Sequence, residues 1–270
     1  MDYVTSDDGT RIAFERSGDG PPLILVHGTA ADHRTWDRVR PALAERFTVY
    51  AVDRRGRGDS GDGEAYAVER EFEDLAALAA SIDGPVNLLG HSYGAVCSIG
   101  AALRLSELRR LILYEPPLWT PDRERLSTAL LDRMDDLADR GENERVLEVF
   151  FEEVVGSTRR LEGLRSSSDY DRHVAAAERL PRELRGRERF RPTPETYSVG
   201  DVPTMLLTGT DSSASLQQST EAATDLFPDS RLVRLPGRGH GAMHTAPDRF
   251  VSEVSAFLRG EGQGASVDHH

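Results

Sequence analysis

Short, mostly apolar runs recur along this chain: Leu23–Val26, Phe47–Val52, Val86–Leu89, Leu111–Tyr114, Met205–Thr208 and Leu232–Leu235. Runs of this length suit strands buried on both faces of a parallel sheet. Helix-favouring stretches separate several of them, including Glu71–Ser81 and Tyr93–Leu105. Strands alternating with helices predict an α/β fold, a mostly parallel sheet with helices on both faces. Ahead of the first run, Tyr3 to Arg16 reads as a hairpin. Ile12 and Phe14 alternate with polar neighbours, and Asp8-Gly9 supplies the turn.

One interval breaks the rhythm. From Pro117 to Val202 the sequence is charged and helix-favouring, as in Leu126–Arg140, Glu144–Val155 and Asp171–Arg185. The apolar spacing of Val146, Val149, Phe150 and Val154 argues for packed helices rather than a disordered linker. We therefore expect a core domain formed by 1–116 and 203–260, with 117–202 inserted as a helical cap. Residues 261–270 read as a tail, and Ser266-Val267-Asp268-His269-His270 as a purification-tag remnant.

Composition narrows the function. The 270 residues carry a net charge of −13, which opposes binding to nucleic acid and to anionic membrane surfaces. Every cationic side chain is arginine or histidine, so lysine-dependent chemistry (Schiff base, pyridoxal anchor, Walker lysine) is excluded. The single cysteine, Cys97, excludes an internal disulfide and a cysteine metal cluster. Neither a membrane-length apolar run nor a leader-like segment is evident, so the expected location is cytoplasmic.

Gly90-His91-Ser92-Tyr93-Gly94 fits G-x-S-x-G. The motif is short, but it directly follows an apolar strand and opens a helix, the context of a nucleophile elbow. Otherwise Ser92 would be an ordinary serine in a glycine-rich turn. With His27-Gly28, Asp53-Arg54-Arg55-Gly56-Arg57-Gly58-Asp59-Ser60 and Gly237-Arg238-Gly239-His240, the chain resembles the α/β-hydrolase superfamily with a helical cap. The likeness runs from about Tyr3 to Leu258, with the cap covered by position rather than by motif.

The resemblance implies Ser92 as nucleophile and an oxyanion hole from the backbone N–H groups of Tyr93 and Thr29. His27-Gly28 could equally just turn the chain, with His27 buried and hydrogen-bonded. His240 follows the last strand in a glycine-rich loop and is the expected base. His244 is its rival and reads as structural, whereas His33, His91 and His173 have no comparable position, and His91 is expected to point into the fold.

Two carboxylates compete as triad acid. Asp211 follows the penultimate strand, where most relatives carry the acid. However, the usual Gly-x-x-Asp spacing from Gly209 places Ser212 there and Asp211 one residue early. Glu115 ends the run Leu111–Tyr114, a site used by some relatives, and Pro116-Pro117 would hold it stiffly. The register favours Glu115 slightly. Otherwise Glu115 is a hinge at the mouth of the cap, and Asp211 an Asx turn.

Of the tryptophans, Trp119 is the better candidate to line a pocket than Trp36. Cys97 reads as a small core residue, and the Arg54–Arg57 cluster as shaping a loop beside the active site rather than binding an anion. The leading expectation is a serine esterase or lactonase acting on a small molecule through an acyl-enzyme, with no metal or organic cofactor. Carbon–carbon bond, perhydrolytic and amide chemistry stay open. So does a weakly active ligand-binding or pathway-partner protein.

Overall fold

The computed structural model describes residues 1–118, 120, 125–195 and 200–261. An eight-stranded sheet has the order β1-β2-β4-β3-β5-β6-β7-β8. Its strands are β1 (Asp2–Thr5), β2 (Arg11–Ser17), β3 (Pro22–Val26), β4 (Thr48–Val52), β5 (Val86–His91), β6 (Leu108–Tyr114), β7 (Thr204–Gly209) and β8 (Ser230–Leu235). The hairpin β1–β2 is antiparallel, as is β2 on β4. Every pairing from β4 across to β8 is parallel. Each predicted apolar run thus lies within a strand, except that Phe47 falls just before β4.

The helices are α1 (Arg40–Ala44), α2 (Val68–Ala80), α3 (Tyr93–Ala102), α4 (Thr128–Asp139), α5 (Asn143–Val149), α6 (Thr158–Arg165), α7 (Tyr170–Ala176), α8 (Leu180–Arg189), α9 (Ala214–Ala222), α10 (Ala242–Thr245) and α11 (Pro247–Leu258). Successive strand residues face opposite sides of the sheet. Ile24, Val26, Leu88, Leu111 and Leu113 pack with Phe72 and Leu75 of α2 and Val96 and Ile99 of α3. Leu23, Leu25, Leu89 and Ile112 pack on the other side with Leu43 of α1 and Phe250 and Val254 of α11. Cover on both faces is why these strands read as continuous apolar runs. Trp36 and Cys97 are fully buried, and burial pushes the Cys97 thiol pKa well up.

The described part of the stretch between β6 and β7 carries α4 to α8 and a core of its own. Leu131, Met134, Leu137, Val146, Leu147, Leu161 and Leu184 cluster there with Ala30 from the loop after β3. The helix expected over Glu144–Val155 is α-helical only to Val149. Phe150–Val154 form a π turn, a widening common at functional sites. Helix α6 was not anticipated. Its signal is Ser157, whose hydroxyl accepts from the Arg160 N–H as an N-cap.

The arginines after β4 bind the protein itself. Arg54 donates from Nε and Nη2 to Glu71, both at 2.9 Å, and from Nη1 to Gly28 O at 3.0 Å. Its Nη2 also meets Glu183 of α8. Arg57 donates from Nε at 3.1 Å and Nη2 at 2.6 Å to the same Glu183 oxygen. Arg55 grips Asp74 through two bonds of 2.7 Å and Asp8 through one of 3.0 Å. Burial pushes the Glu183 pKa up, but the Arg54 and Arg57 charges outweigh it and hold the carboxyl below its ordinary value.

Removing one partner from such a cluster strands the other charges. Glu183→Ala should therefore destabilise the fold by roughly 3–5 kcal/mol, read as a lower urea midpoint. A change below about 1 kcal/mol, the size of an exposed ion pair, would show that the cluster is not a stabilising tie.

Candidate active site

Strand β5 ends at His91, and α3 begins at Tyr93. Ser92 between them has φ 54° and ψ −123°. An L-residue in that region is strained by about 1–3 kcal/mol. The glycines around it are steric necessities. A Cβ on Gly94 would lie 2.4 Å from the carbonyl oxygens of Val26 and His27, and one on Gly90 would lie 2.5 Å from Gly94 O. The Ser92 N–H is fixed by Tyr114 O at 2.8 Å. Among the described residues the other non-glycine residues with positive φ are Ala30 and Glu115. All three lie at or beside the predicted site, a concentration of strain typical of catalytic centres.

Glu115 is fully buried. Its Oε2 accepts from His240 Nδ1 at 2.5 Å. Its Oε1 accepts from the Gly209 N–H at 2.7 Å and the Thr208 hydroxyl at 3.0 Å. Burial pushes the Glu115 pKa up, yet the bond and charge of His240, with help from Ser212 and the Gly209 N–H, bring it below the ordinary value. Ser212, which occupies the spacing expected of an acid, is thus itself beside Glu115. Asp211 is exposed, and its carboxylate accepts from the neighbouring Thr210 hydroxyl at 3.2 Å. The structure therefore brings Glu115, and not Asp211, to His240.

The His240 loop is tied down by residues that sequence reasoning passed over. His91 turns its ring inward against Trp36 and Tyr114 and also lines the cavity. Its Nε2–H donates to His240 O at 2.8 Å, and the two rings sit 4.5 Å apart. Burial, and then the nearby His240, push the His91 pKa well down, so the ring is neutral. The Tyr114 hydroxyl donates to Gly239 O and accepts from the Ala242 N–H at 3.1 Å. The only sequence signal for either residue was its place at a strand end beside a motif.

His27 is fully buried; its Nδ1–H donates to Gly28 O at 2.8 Å, and Nε2 accepts from the Arg54 N–H at 3.1 Å. Burial, then the Arg54 charge, lower its pKa to about 4. The ring is therefore a neutral turn-former. Thr29, just beyond, lines the same cavity as Ser92 and Tyr93. The first N–H groups of α3 have no acceptor within the helix and so are available to an anion.

That cavity measures about 600 Å³. Ser92 and His240 form its floor, and Phe150, Phe151, Val154 and Leu184 contribute apolar wall from the helical segment. His173 and His244 reach it, but neither contacts Glu115 among the described contacts. Burial, then Arg38, lowers the His244 pKa. Trp119 lies outside the described residues. Among the described residues no group of three His, Cys, Asp or Glu side chains could hold a metal ion, and no helix is long and apolar enough to cross a membrane.

Comparison with known proteins agrees with this architecture. An alpha/beta hydrolase from Sphaerobacter thermophilus superposes with a TM-score of 0.85 at 34% identity, covering 95% of this chain and 100% of that one. A thermophilic esterase from Thermogutta terrifontis superposes with a TM-score of 0.73 at 25% identity, covering 96% and 98%. N-formylmaleamate deformylase of Pseudomonas putida is 38% identical over 123 residues, 44% of this chain and 46% of that protein. A stretch 40% identical to the probable oxidoreductase EphD of Mycobacterium tuberculosis spans only 17% of that protein's length. The model of the alpha/beta hydrolase family matches residues 23–253, and the chain belongs to that family.

Proposed function

We propose that this hydrolase cleaves a carboxylic ester of a small molecule through an acyl-enzyme formed on Ser92. The observation that carries the reading is the 2.5 Å bond between Glu115 and His240 Nδ1, in one cavity with a serine held at positive φ. With Nδ1–H committed to Glu115, Nε2 is the free base. It takes the Ser92 proton as Oγ attacks the acyl carbon. The tetrahedral oxyanion is held by the Thr29 and Tyr93 N–H groups, an arrangement worth several kcal/mol. His240 then returns the proton to the departing alkoxide. Water repeats the sequence on the acyl-enzyme, releasing the acid and restoring Ser92. This chemistry requires no cofactor.

Amide cleavage is the second reading, favoured by the stretch shared with the deformylase. The test is a fluorophosphonate probe followed by paired turnover of matched aryl esters and N-acyl amides. Labelling at Ser92 with ester turnover supports the first reading. Labelling with amide turnover alone supports the second, and no labelling would leave a binding protein on this fold.

The helical segment over the cavity, within 117–202, is in this reading a movable cap. Backbone amides in α4 to α7 should then exchange hydrogen faster than those of β5 and β6 flanking Ser92. Equal protection would make it a fixed roof.

A further inference from the structure

We infer that the substrate carries a carboxylate, received in the cavity by the guanidinium of Arg187 with Arg160 as a second cation. The inference rests on the hydrolytic reading of Ser92. In this chain acidic residues outnumber basic ones, 46 to 33, yet among the described residues no aspartate or glutamate lines the cavity that holds Ser92. Arg160 and Arg187 both do.

The buried arginines elsewhere show what such a group ordinarily requires. Arg54 and Arg57 converge with Glu71 and Glu183, and Arg55 with Asp74 and Asp8. Arg187 is only 8% exposed, but its one ion-pair partner among the described residues is Glu188 at 2.9 Å, a residue that Arg191 also approaches at 3.8 Å. Its Nε–H has no acceptor. Arg160 makes no ion pair among the described residues. A guanidinium does not shed its charge in a protein, so the described lining of the cavity carries more positive than negative charge, with the Arg187 Nε–H unused.

Both cations line the cavity that holds the reacting serine. Arg160 Nη2 lies 3.8 Å from the Cβ position of Gly239, next to His240. A planar fork beside apolar wall residues is matched to a carboxylate. Phe150, Phe151 and Leu184 would cover the carbon chain between that carboxylate and the scissile bond.

The test pairs monomethyl succinate and monomethyl glutarate with their dimethyl esters. In the active protein the half-esters should have the higher kcat/KM by at least about 30-fold, the size expected for one partner of a buried charge pair. Arg187→Met should collapse that ratio towards one, and Arg187→Lys should restore part of it. Calorimetric binding of the same compounds to the Ser92→Ala protein should show the same preference without turnover. Should Arg187→Met fail to fold, Arg160→Met replaces it, with a smaller fall in the ratio expected. Diesters preferred by the parent, or a ratio unmoved by both substitutions, would overturn the inference. Turnover of p-nitrophenyl acetate, lost in Ser92→Ala, checks the serine reading separately: it can hold while the carboxylate preference fails. If p-nitrophenyl acetate is not turned over, the binding preference still decides the carboxylate.

Discussion

Ser92→Ala should lower kcat by about 10⁴–10⁶-fold, the range set by removing a nucleophile whose partners remain in place. Stability should change by less than about 1 kcal/mol. The serine side chain caps nothing in α3, and alanine bears the same backbone strain at φ 54°. Ester turnover and thermal unfolding of the two proteins measure both quantities. Residual rate in the variant reflects the oxyanion donors and binding alone. A variant as active as the parent would remove Ser92 from the chemistry, and with it the acyl-enzyme.

The second large effect separates the two carboxylates. Glu115 Oε1 faces two donors, the Gly209 N–H and the Thr208 hydroxyl. In Glu115→Gln the carbonyl oxygen must take that position, which turns the amide NH₂ towards His240 Nδ1. The imidazole is then driven to carry its proton on Nε2, where it cannot act as base. A loss of about 10⁴-fold in kcat is expected, as for an Asp→Asn change in a Ser-His-Asp triad. Asp211→Asn should change kcat by less than about 3-fold, since an exposed polar swap rarely matters. If Asp211→Asn abolishes turnover and Glu115→Gln is nearly silent, the loop after β7 works in another arrangement. The acid also sets a pH dependence. The Glu115 pKa is lowered in the fold, so its stabilising contribution is complete above the ordinary glutamate range and fades as the pH falls below it.

Much of this was legible in the residues, for reasons that differ. The inner strands could be read because burial on both faces leaves few polar interruptions, and the elbow because only glycine fits at 90 and 94. The choice between Glu115 and Asp211 could only be leaned upon. It turns on where Gly209 and Thr208 aim their donors, a property of strand register rather than of spacing. His91 and Tyr114 gave no signal beyond their place at a strand end, because a residue that holds a backbone carbonyl looks like any polar residue there. The direction of Arg187 was equally hidden: α8 is arginine-rich along its length, and packing against α4 and the β4 loop decides which side chain enters the cavity.

The tie between the loop after β4 and α8 gives the roof of the cavity a latch of distinctive temper. Greasy contacts weaken in the cold, whereas the dehydration cost of a charged cluster falls as temperature rises. Guanidinium groups do not titrate, and Glu183 is held below its usual pKa by the two arginine charges. Its stabilisation is whole above the ordinary glutamate value and ebbs only in acid. Ionic strength hardly reaches a cluster shielded from solvent. One edge of the roof is thus pinned across neutral and alkaline conditions, while the π turn and its phenylalanines, which line the same cavity, lie outside that tie.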